Sequence, residues 1–261
     1  MTYTPRSQEE KDFLASYDPH KYTPIALATD IVLLTIREGK LSVLLVERGG
    51  YPYKGDWALP GGFIQDGFSS EDTAIRELVE ETGIPLEQSH IEQLRTYSDP
   101  DRDPRMRVVS TAYLALVPDL PRPVAGDDAA EARFFPVEDI LDPKDGEDRI
   151  TLAFDHETIL KDGVNRAASK LEYTSLGITF LQEPFTLADL RRVYEEVWQM
   201  PLHAANFRRK ILSTPNLVEA MGKKGRPKFN EGRSAELYRR GTATELQPAF
   251  LRSTVNDVEE C

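Results

Sequence analysis

The sequence contains almost no cysteine: Cys261 is the only one among its 261 residues. A single cysteine excludes an intramolecular disulfide and a cysteine-based metal site, and such low cysteine usage is typical of the reducing cytoplasm. No apolar run approaches the ~18 residues that a membrane-spanning helix requires. The first residues also lack the basic and apolar regions of a secretory signal peptide. We therefore expect a cytoplasmic protein with no membrane partner.

Basic residues are also scarce: 32 Lys and Arg face 44 Asp and Glu, which gives a net charge of −12. The total alone argues against a nucleic-acid-binding protein, because such domains are normally basic. The charge is unevenly distributed, however. Residues 1–170 have 32 acidic and 19 basic side chains, whereas residues 204–240 have three acidic and ten basic side chains, a local charge of +7. This asymmetry indicates a separate nucleic-acid-binding module in the second half.

The first half mixes strands with a few helices. Residues 26–49 contain two apolar, β-branched runs around the turn signal Glu-Gly-Lys, which predicts a hairpin. Residues 69–83 predict a helix that begins at Ser69 or Ser70 and ends at Gly83. Further strands are predicted within 90–118, and a strand followed by a short helix within 132–141. This pattern predicts an α/β (α+β) domain over residues 1–150.

The second half is mostly helical. Helices are predicted at 154–173, 185–200 and 203–214, and two short strands flank a basic loop within 217–241. Helix, turn, helix and hairpin follow one another in the order of a winged helix-turn-helix. We therefore predict a DNA-binding domain over residues 151–245 and a flexible tail over residues 246–261.

The helix at 69–83 carries three closely spaced carboxylates. Glu77, Glu80 and Glu81 are spaced i, i+3 and i+4, which places them on one face. Like charges at this spacing repel one another unless a cation neutralises them, and carboxylate oxygens suit Mg²⁺ or Mn²⁺. A solvated acidic helix face is the alternative interpretation.

The surroundings of this helix resemble the Nudix box, G-x5-E-x7-R-E-U-x-E-E-x-G-U with U apolar. Gly61-Gly62 is followed after thirteen residues by the run Arg76 to Ile84, and each fixed position matches except one, where Phe68 replaces a glutamate. The resemblance implies a Nudix α/β/α sandwich over residues of roughly 20–150. It also implies catalytic and Mg²⁺-binding roles for Glu77, Glu80 and Glu81.

Phe68 changes the expected chemistry. In the Nudix family the missing glutamate pairs with the box arginine, which is Arg76 here. Phenylalanine neither accepts a hydrogen bond nor binds a metal, so we expect weak Mg²⁺ binding and impaired hydrolysis but retained ligand binding.

A proline sixteen residues after the box indicates the ligand class. Pro100 resembles the mark of ADP-ribose pyrophosphatases within the Nudix family, although the surrounding Asp-Pro pairs also suit an ordinary turn. The candidate ligand-binding residues are Arg48, Tyr53, Trp57, Arg102, Arg105 and Arg107. A general base for hydrolysis is expected from Asp127, Asp128 or Glu131.

Two basic clusters mark the DNA-binding candidates. The helix at 203–214 presents Asn206, Arg208, Arg209 and Lys210, residue types that read adenine or guanine and neutralise phosphates. The basic loop that follows supplies Lys223, Lys224, Arg226 and Lys228 as a wing. A solvated basic surface without a partner is the alternative interpretation.

The second half also resembles a known domain. The segments 153–156 (AFDH), 171–174 (LEYT) and 184–212 look like the C-terminal domain of the Nudix-related transcriptional regulators. The resemblance implies a homodimeric repressor of NAD-cofactor or sugar metabolism genes that binds a palindromic double-stranded operator and senses ADP-ribose or a related nucleotide. An active Mg²⁺-dependent ADP-ribose pyrophosphatase remains the competing hypothesis.

Overall fold

The computed structural model describes residues 3–83, 90–119, 123, 129–143, 150–229 and 232–252. The strands are β1 (Ala26–Arg37), β2 (Lys40–Arg48), β3 (Trp57–Ala58), β4 (Gly61–Phe63), β5 (His90–Tyr97), β6 (Val108–Leu116), β7 (Ala129–Pro136), β8 (Val218–Gly225) and β9 (Ala235–Arg240). The helices are α1 (Gln8–Ser16), α2 (Ser70–Thr82), α3 (Val137–Leu141), α4 (His156–Tyr173), α5 (Leu187–Trp198) and α6 (Ala204–Ser213).

A mixed seven-stranded sheet forms the centre of the first domain. Its strand order is β3-β2-β1-β6-β5, with β4 paired to β1 and β7 paired to β2. Strands β1 and β6 run parallel, whereas β1 and β2 form the predicted antiparallel hairpin. Glu38 and Gly39 both have positive φ at its turn, as a tight hairpin turn requires.

Alternating side chains of β1 divide between two layers, because successive strand residues point to opposite faces of a sheet. Ile31 and Leu33 pack in the apolar cluster that contains Leu78 of α2. Val32 and Leu34 pack in a second cluster that contains α4. Helices α2 and α4 therefore cover opposite faces, which confirms the predicted α/β/α sandwich.

Helix α4, just after the predicted boundary at residue 150, packs on the sheet of the first domain and also contacts α5 of the second. A Cβ atom added at Gly163 would lie 2.8 Å from Val32 Cγ1, so glycine permits this close contact. Tyr97 Oη donates to Asp162 (2.8 Å) and Arg166 donates to Glu92 (3.0 Å). These contacts join the helix to β5 of the sheet, although the residues lie far apart in sequence.

The second domain has the predicted winged-helix elements. Thr186 and Asp189 form a capping box at the start of α5, and Phe207 and Ile211 bury one side of α6. Strands β8 and β9 form the antiparallel wing. The fully buried Asp189 also accepts hydrogen bonds from the backbone nitrogens of Lys228 and Phe229, which fix the base of the wing.

The chain after β9 continues the core of this domain through residue 252. Leu246 is buried, and the Phe250 ring lies 5.1 Å from the Trp198 ring and 5.9 Å from the Phe207 ring. The prediction of a flexible tail is therefore wrong for residues 246–252, where the polar sequence concealed two apolar anchors. Residues 253–261, with Cys261, lie outside the described residues.

The two domains share an apolar core. One cluster joins Val32, Leu34 and Ile36 of the sheet to α5 and α6. Polar contacts border this cluster: Arg192 Nε donates to the Gly39 carbonyl (2.7 Å), and Glu196 accepts from the Leu41 amide (3.1 Å). Within the ranges that the structure describes, none of the helices is both long and apolar enough to span a bilayer.

Candidate functional site

A cleft of about 230 Å³ opens where β4, the loop at 98–107 and the start of α4 meet. Two glycines shape one wall. A Cβ atom added at Gly61 would lie 2.2 Å from the Thr29 carbonyl oxygen, and one added at Gly62 would lie 2.7 Å from the Glu77 carboxyl carbon. Gly61 therefore allows β4 to approach β1, and Gly62 allows the Glu77 carboxylate of α2 to approach β4.

The three box carboxylates have different surroundings. Glu77 accepts a hydrogen bond from Arg76 (2.7 Å), whereas the Glu80 side chain is 61% exposed. Glu81 lines the cleft and accepts from the Gly61 amide (3.0 Å), and burial raises the pKa of Glu81 to about 8. Among the described residues, no group of three or more acidic, histidine or cysteine side chains is arranged to hold a metal ion. Glu77 and Glu81 both lie beside β4, and the box carboxylates are the residues that would hold Mg²⁺.

Phe68 replaces the missing glutamate through a different contact. The Arg76 guanidinium lies 4.9 Å from the centroid of the Phe68 ring, a cation–π distance. Arg76 also donates to Gln65 (3.2 Å) and lies 3.8 Å from Glu80, the i+4 partner. The arginine thus keeps its position through an aromatic face and an amide, and the box helix retains its place on the sheet.

A buried polar network lies at the back of the cleft. Asp30 accepts from Ser110 (2.6 Å) and lies 3.5 Å from Arg102 and 3.4 Å from His156 Nε2. The Leu59 amide donates to His156 Nδ1 (2.9 Å), and burial lowers the pKa of His156. The neutral imidazole is therefore held between a backbone donor and a carboxylate. Arg102 donates twice to Asp155, at 2.9 and 2.6 Å.

An aromatic residue divides the cleft from a neighbouring depression of about 610 Å³. Phe154 has a positive φ of 54°, a conformation that is unfavourable for a bulky side chain and is concentrated at functional sites. The guanidinium groups of Arg48 and Arg105 lie 4.8 and 5.8 Å from its ring centroid. Tyr53 contacts the ring edge-on at 4.7 Å. This arrangement offers cations and π-faces to a ligand that has phosphates and flat rings.

The structure brings some predicted ligand residues to this site and excludes others. Arg48, Arg102 and Arg105 line the cleft, and Tyr53 lines the depression. Trp57 lines neither, because its ring packs on Phe135 at 4.5 Å, against the main apolar cluster. The structure does not support a ligand contact for Trp57.

Arg107 and Glu131 also lie away from the cleft. Arg107 is absent from the lining of both cavities, and its Nη1 atom is buried. Glu131 is exposed on β7 and lines neither cavity, and Asp127 and Asp128 lie outside the described residues.

Sequence reasoning missed the residues that organise the cleft. Asp30 and Ser110 are polar residues within largely apolar strands, each beside a threonine. Phe154, Asp155 and His156 belong to the quoted segment AFDH but had no assigned role. Polar residues within the apolar runs of β1 and β6 were the one sequence feature that could have indicated these positions. Their partners lie in distant parts of the chain, so the sequence alone did not identify the contacts.

The second candidate surface is the exposed side of α6. Arg208 and Arg209 are exposed there, and Arg209 donates to Asn206 (3.1 Å). Lys210 instead donates to the Pro248 carbonyl, and burial lowers the pKa of Lys210. The structure therefore directs Lys210 toward the C-terminal segment rather than toward a nucleic acid.

The wing adds further exposed cations. Lys223, Lys224 and Arg226 are exposed on β8 and the start of the loop that follows it. Lys228 is also exposed, but its ammonium donates to the Gln182 carbonyl (3.1 Å) at the base of the wing. Three of the four predicted wing residues are thus presented on the same module as Arg208 and Arg209.

Known proteins resemble both halves. The NUDIX domain family matches residues 25–154, and the NrtR DNA-binding winged helix domain matches residues 177–240. The "ADPR responsive transcriptional repressor NtrR" of Acinetobacter baylyi is 31% identical over 232 residues, which cover 88% of each chain. The ADP-ribose pyrophosphatase of Methanocaldococcus jannaschii is 42% identical over 144 residues, covering 54% of this chain and 74% of that protein.

A regulator from Shewanella oneidensis is similar in structure. NrtR complexed with a 27mer DNA superposes with a TM-score of 0.68 at 32% identity, covering 84% of this chain and 98% of that chain. The NUDIX domain of the same protein complexed with ADP ribose superposes with a TM-score of 0.54 at 34% identity, covering 60% of this chain and 98% of that chain. The match to the Acinetobacter repressor spans both domains, and this chain therefore belongs to the NrtR family of transcriptional regulators, in which a NUDIX domain precedes a winged-helix DNA-binding domain.

Proposed function

We propose that this protein is a transcriptional repressor that binds double-stranded operator DNA and responds to ADP-ribose. The observation that carries the proposal is the fusion, through one apolar core, of a cleft lined by arginines to a winged helix with exposed basic residues. We infer the ligand and the DNA from the similarity of this chain to the Acinetobacter repressor and to the Shewanella complexes.

ADP-ribose fits the chemistry of the cleft. A diphosphate is best held by guanidinium groups, which form paired hydrogen bonds with phosphate oxygens. Arg48, Arg102 and Arg105 supply these groups within one cavity. Phe154 and Tyr53 supply aromatic faces for the adenine, and the adjoining depression accommodates the other end of an elongated ligand.

Mg²⁺ binding is expected to be weak, and the proposed response to ADP-ribose does not depend on it. Glu77 accepts a hydrogen bond from Arg76, and the Glu80 side chain is mostly exposed. The likeness to the Methanocaldococcus pyrophosphatase still makes hydrolysis the second candidate function. We expect turnover of ADP-ribose to be far slower than in a protein with an intact box.

On the DNA side, α6 is the recognition helix and the wing contacts phosphates. Arg208 and Arg209 are the candidates for reading guanine in the major groove, where arginine forms paired hydrogen bonds. Lys223, Lys224 and Arg226 neutralise backbone phosphates without reading sequence. The regulated genes are proposed to belong to NAD-cofactor or sugar metabolism.

The proposed repressor is a homodimer on a palindromic operator. Helix α1 has no buried residue in the single chain, and an isolated nine-residue helix is marginal in water. Its exposed Phe13 and Leu14 therefore need an apolar partner. Near the end of the same N-terminal arm lies an exposed apolar surface formed by Ile25, Leu27, Phe63, Phe68 and Met106.

A second copy of this chain is the proposed occupant of that surface. Each copy has both the unpacked helix α1 and the exposed apolar surface. In a two-fold symmetric dimer, α1 of each copy can therefore pack on the apolar surface of the other. Sedimentation should give a dimer for the wild-type protein and a monomer for the double variant Phe13→Ser, Leu27→Ser. Val79→Ser removes another exposed apolar side chain and should remain dimeric. A monomeric wild-type protein at micromolar concentration contradicts the dimer.

Two assays test the function together. Fluorescence anisotropy measures binding to DNA from upstream of the protein's own gene and its neighbours, with and without ADP-ribose. Phosphate release from ADP-ribose, detected with added phosphatase, measures hydrolysis with Mg²⁺. We expect specific DNA binding that ADP-ribose changes and ribose 5-phosphate does not. Rapid hydrolysis without specific DNA binding would overturn the proposal in favour of the enzyme.

A further inference from the structure

Strand β8 of the wing contains a large bulge. The register of its pairing with β9 shifts between Ala220 and Lys224, so residues 221–223 lie opposite the single residue Leu237. Gly222, in the middle of this bulge, has a positive φ of 65°, which glycine adopts without the steric cost of a side chain. Extra residues in one strand bend it and redirect its side chains, so the bulge sets the direction of the side chains that it carries.

A carboxylate of β9 stabilises this bulge. The Gly222 amide donates a hydrogen bond to Glu236 Oε1 (2.8 Å). Bulged residues lie outside the hydrogen-bond ladder of the sheet, and Glu236 supplies a side-chain acceptor for one of their amides. Lys223 follows Gly222 directly and is exposed. The backbone position of this lysine therefore depends on the hydrogen bond between Gly222 and Glu236.

Glu236 also lies beside the recognition helix. With Arg208 of α6 and Arg191 of α5, it lines a groove of about 250 Å³ between the two helices and β9. The bulge is therefore joined to the surface that carries the proposed DNA-reading arginines. A carboxylate at this surface repels DNA phosphates and by itself lowers DNA affinity. Its net effect on DNA binding depends on what its hydrogen bond to the bulge contributes.

We infer that Glu236 is a positioning residue of the DNA interface. It holds the shape of the bulge and thereby places Lys223 where the lysine ammonium reaches a backbone phosphate. This inference rests on the proposed function, in which the wing neutralises phosphates. The attraction between the placed cation and DNA outweighs the repulsion between the Glu236 carboxylate and DNA. Glu236 thus acts through the bulge and not by contact with a base.

The salt dependence of DNA binding tests the inference, because the slope of log affinity against log salt reports how many phosphates the protein neutralises. Anisotropy titrations at several salt concentrations between about 50 and 200 mM measure this slope. Glu236→Ala removes the acceptor of the bulge, so the slope should fall by about 1, and operator and scrambled DNA should weaken by the same factor. Glu236→Gln keeps an acceptor for the Gly222 amide and removes only the charge. This variant should retain the wild-type slope and bind DNA as tightly as wild type or more tightly.

Glu219→Ala is the matched control. It removes the same charge from the same hairpin, where Glu219 pairs with the Arg239 guanidinium (2.7 Å). The slope of this variant should not fall. A Glu236→Ala protein that is folded by circular dichroism and keeps the wild-type slope overturns the inference while leaving the proposed function intact. A wild-type protein that shows no specific DNA binding refutes both.

A pair of Gly222 variants provides a second measurement, which does not depend on whether the Glu236 variants fold. A Cβ atom added at Gly222 would meet no heavy atom within 4 Å, so a side chain fits there and only the positive φ opposes it. Asparagine adopts the left-handed conformation more readily than a β-branched residue does. Gly222→Asn should therefore keep the wild-type slope, and Gly222→Val should lower it by about 1, as Glu236→Ala does. Equal slopes for the two Gly222 variants contradict the role of the bulge.

Discussion

Replacing Glu81 with glutamine is expected to remove a pH dependence from the stability of the protein. Burial against β4 raises the pKa of the Glu81 carboxyl from 4.5 to about 8. Between these values the folded protein keeps a proton that the unfolded chain releases. The contribution of the Glu81 carboxyl to the free energy of unfolding is therefore fully present below pH 4.5 and is lost as the pH rises toward 8. Glutamine has a similar shape, retains an acceptor for the Gly61 amide and does not titrate.

The magnitude follows from the two pKa values. Each unit of difference corresponds to about 1.4 kcal/mol, so the wild-type free energy of unfolding should fall by roughly 1.5 kcal/mol more than that of Glu81→Gln between pH 6.5 and 8. The lowered pKa of His156 acts in the opposite direction. As the pH falls below about 6.5, the unfolded chain protonates this imidazole while the folded protein keeps it neutral, so the free energy of unfolding decreases. This effect is present in both proteins and cancels in the comparison.

Urea unfolding followed by circular dichroism, in EDTA at several pH values from 6.5 to 8, measures the difference. Glu80→Gln is the control, because Glu80 lies one residue away on the same helix and is mostly exposed. Parallel pH profiles for wild type and Glu81→Gln would refute the reasoning that burial keeps this carboxyl protonated.

Three further outcomes are expected. Arg208→Ala or Arg209→Ala should weaken operator binding by ~1–3 kcal/mol and relax the preference for operator over scrambled DNA, measured by anisotropy. The control variant Lys210→Ala should leave this sequence preference unchanged. Lys224→Ala should lower the slope of log affinity against log salt by about 1 and weaken operator and scrambled DNA equally; a slope identical to wild type would remove the wing from the interface. Phe250→Ala should destabilise the protein by roughly 1–3 kcal/mol in urea unfolding because three aromatic neighbours lose contacts, and an unchanged midpoint would contradict the docking of residues 246–252.

Local signals predicted the helices well. Ser69 caps α2 and Gly83 ends it in a left-handed conformation, and Thr186 caps α5, as expected from the sequence. These features depend on residues within one or two turns, so a single sequence contains them. The Nudix box likewise located the cleft, because its two glycines and Glu81 line the cleft wall.

Long-range contacts account for what the sequence analysis missed. Asp30, Arg102 and Asp155 come from a strand, a loop and a helix start, and no spacing rule connects them. Trp57 was expected to stack on a ligand, but its neighbour across the sheet, Phe135, determines its orientation. The Phe68 contact with Arg76 was missed for a different reason: a lost hydrogen-bond acceptor suggested a lost partner, although an aromatic face also attracts a guanidinium.

The apolar cluster that continues from the sheet into α5 and α6 has a consequence for engineering chimaeras. The first domain of a relative cannot simply replace this one at a junction placed at residue 150 or 174. Either junction would separate side chains that pack together in this apolar cluster. A chimaera must keep the hairpin after Glu38-Gly39 together with Arg192 and Glu196, the α5 side chains that form hydrogen bonds with its backbone. A sequence change at the turn should therefore be accompanied by a matching change on α5.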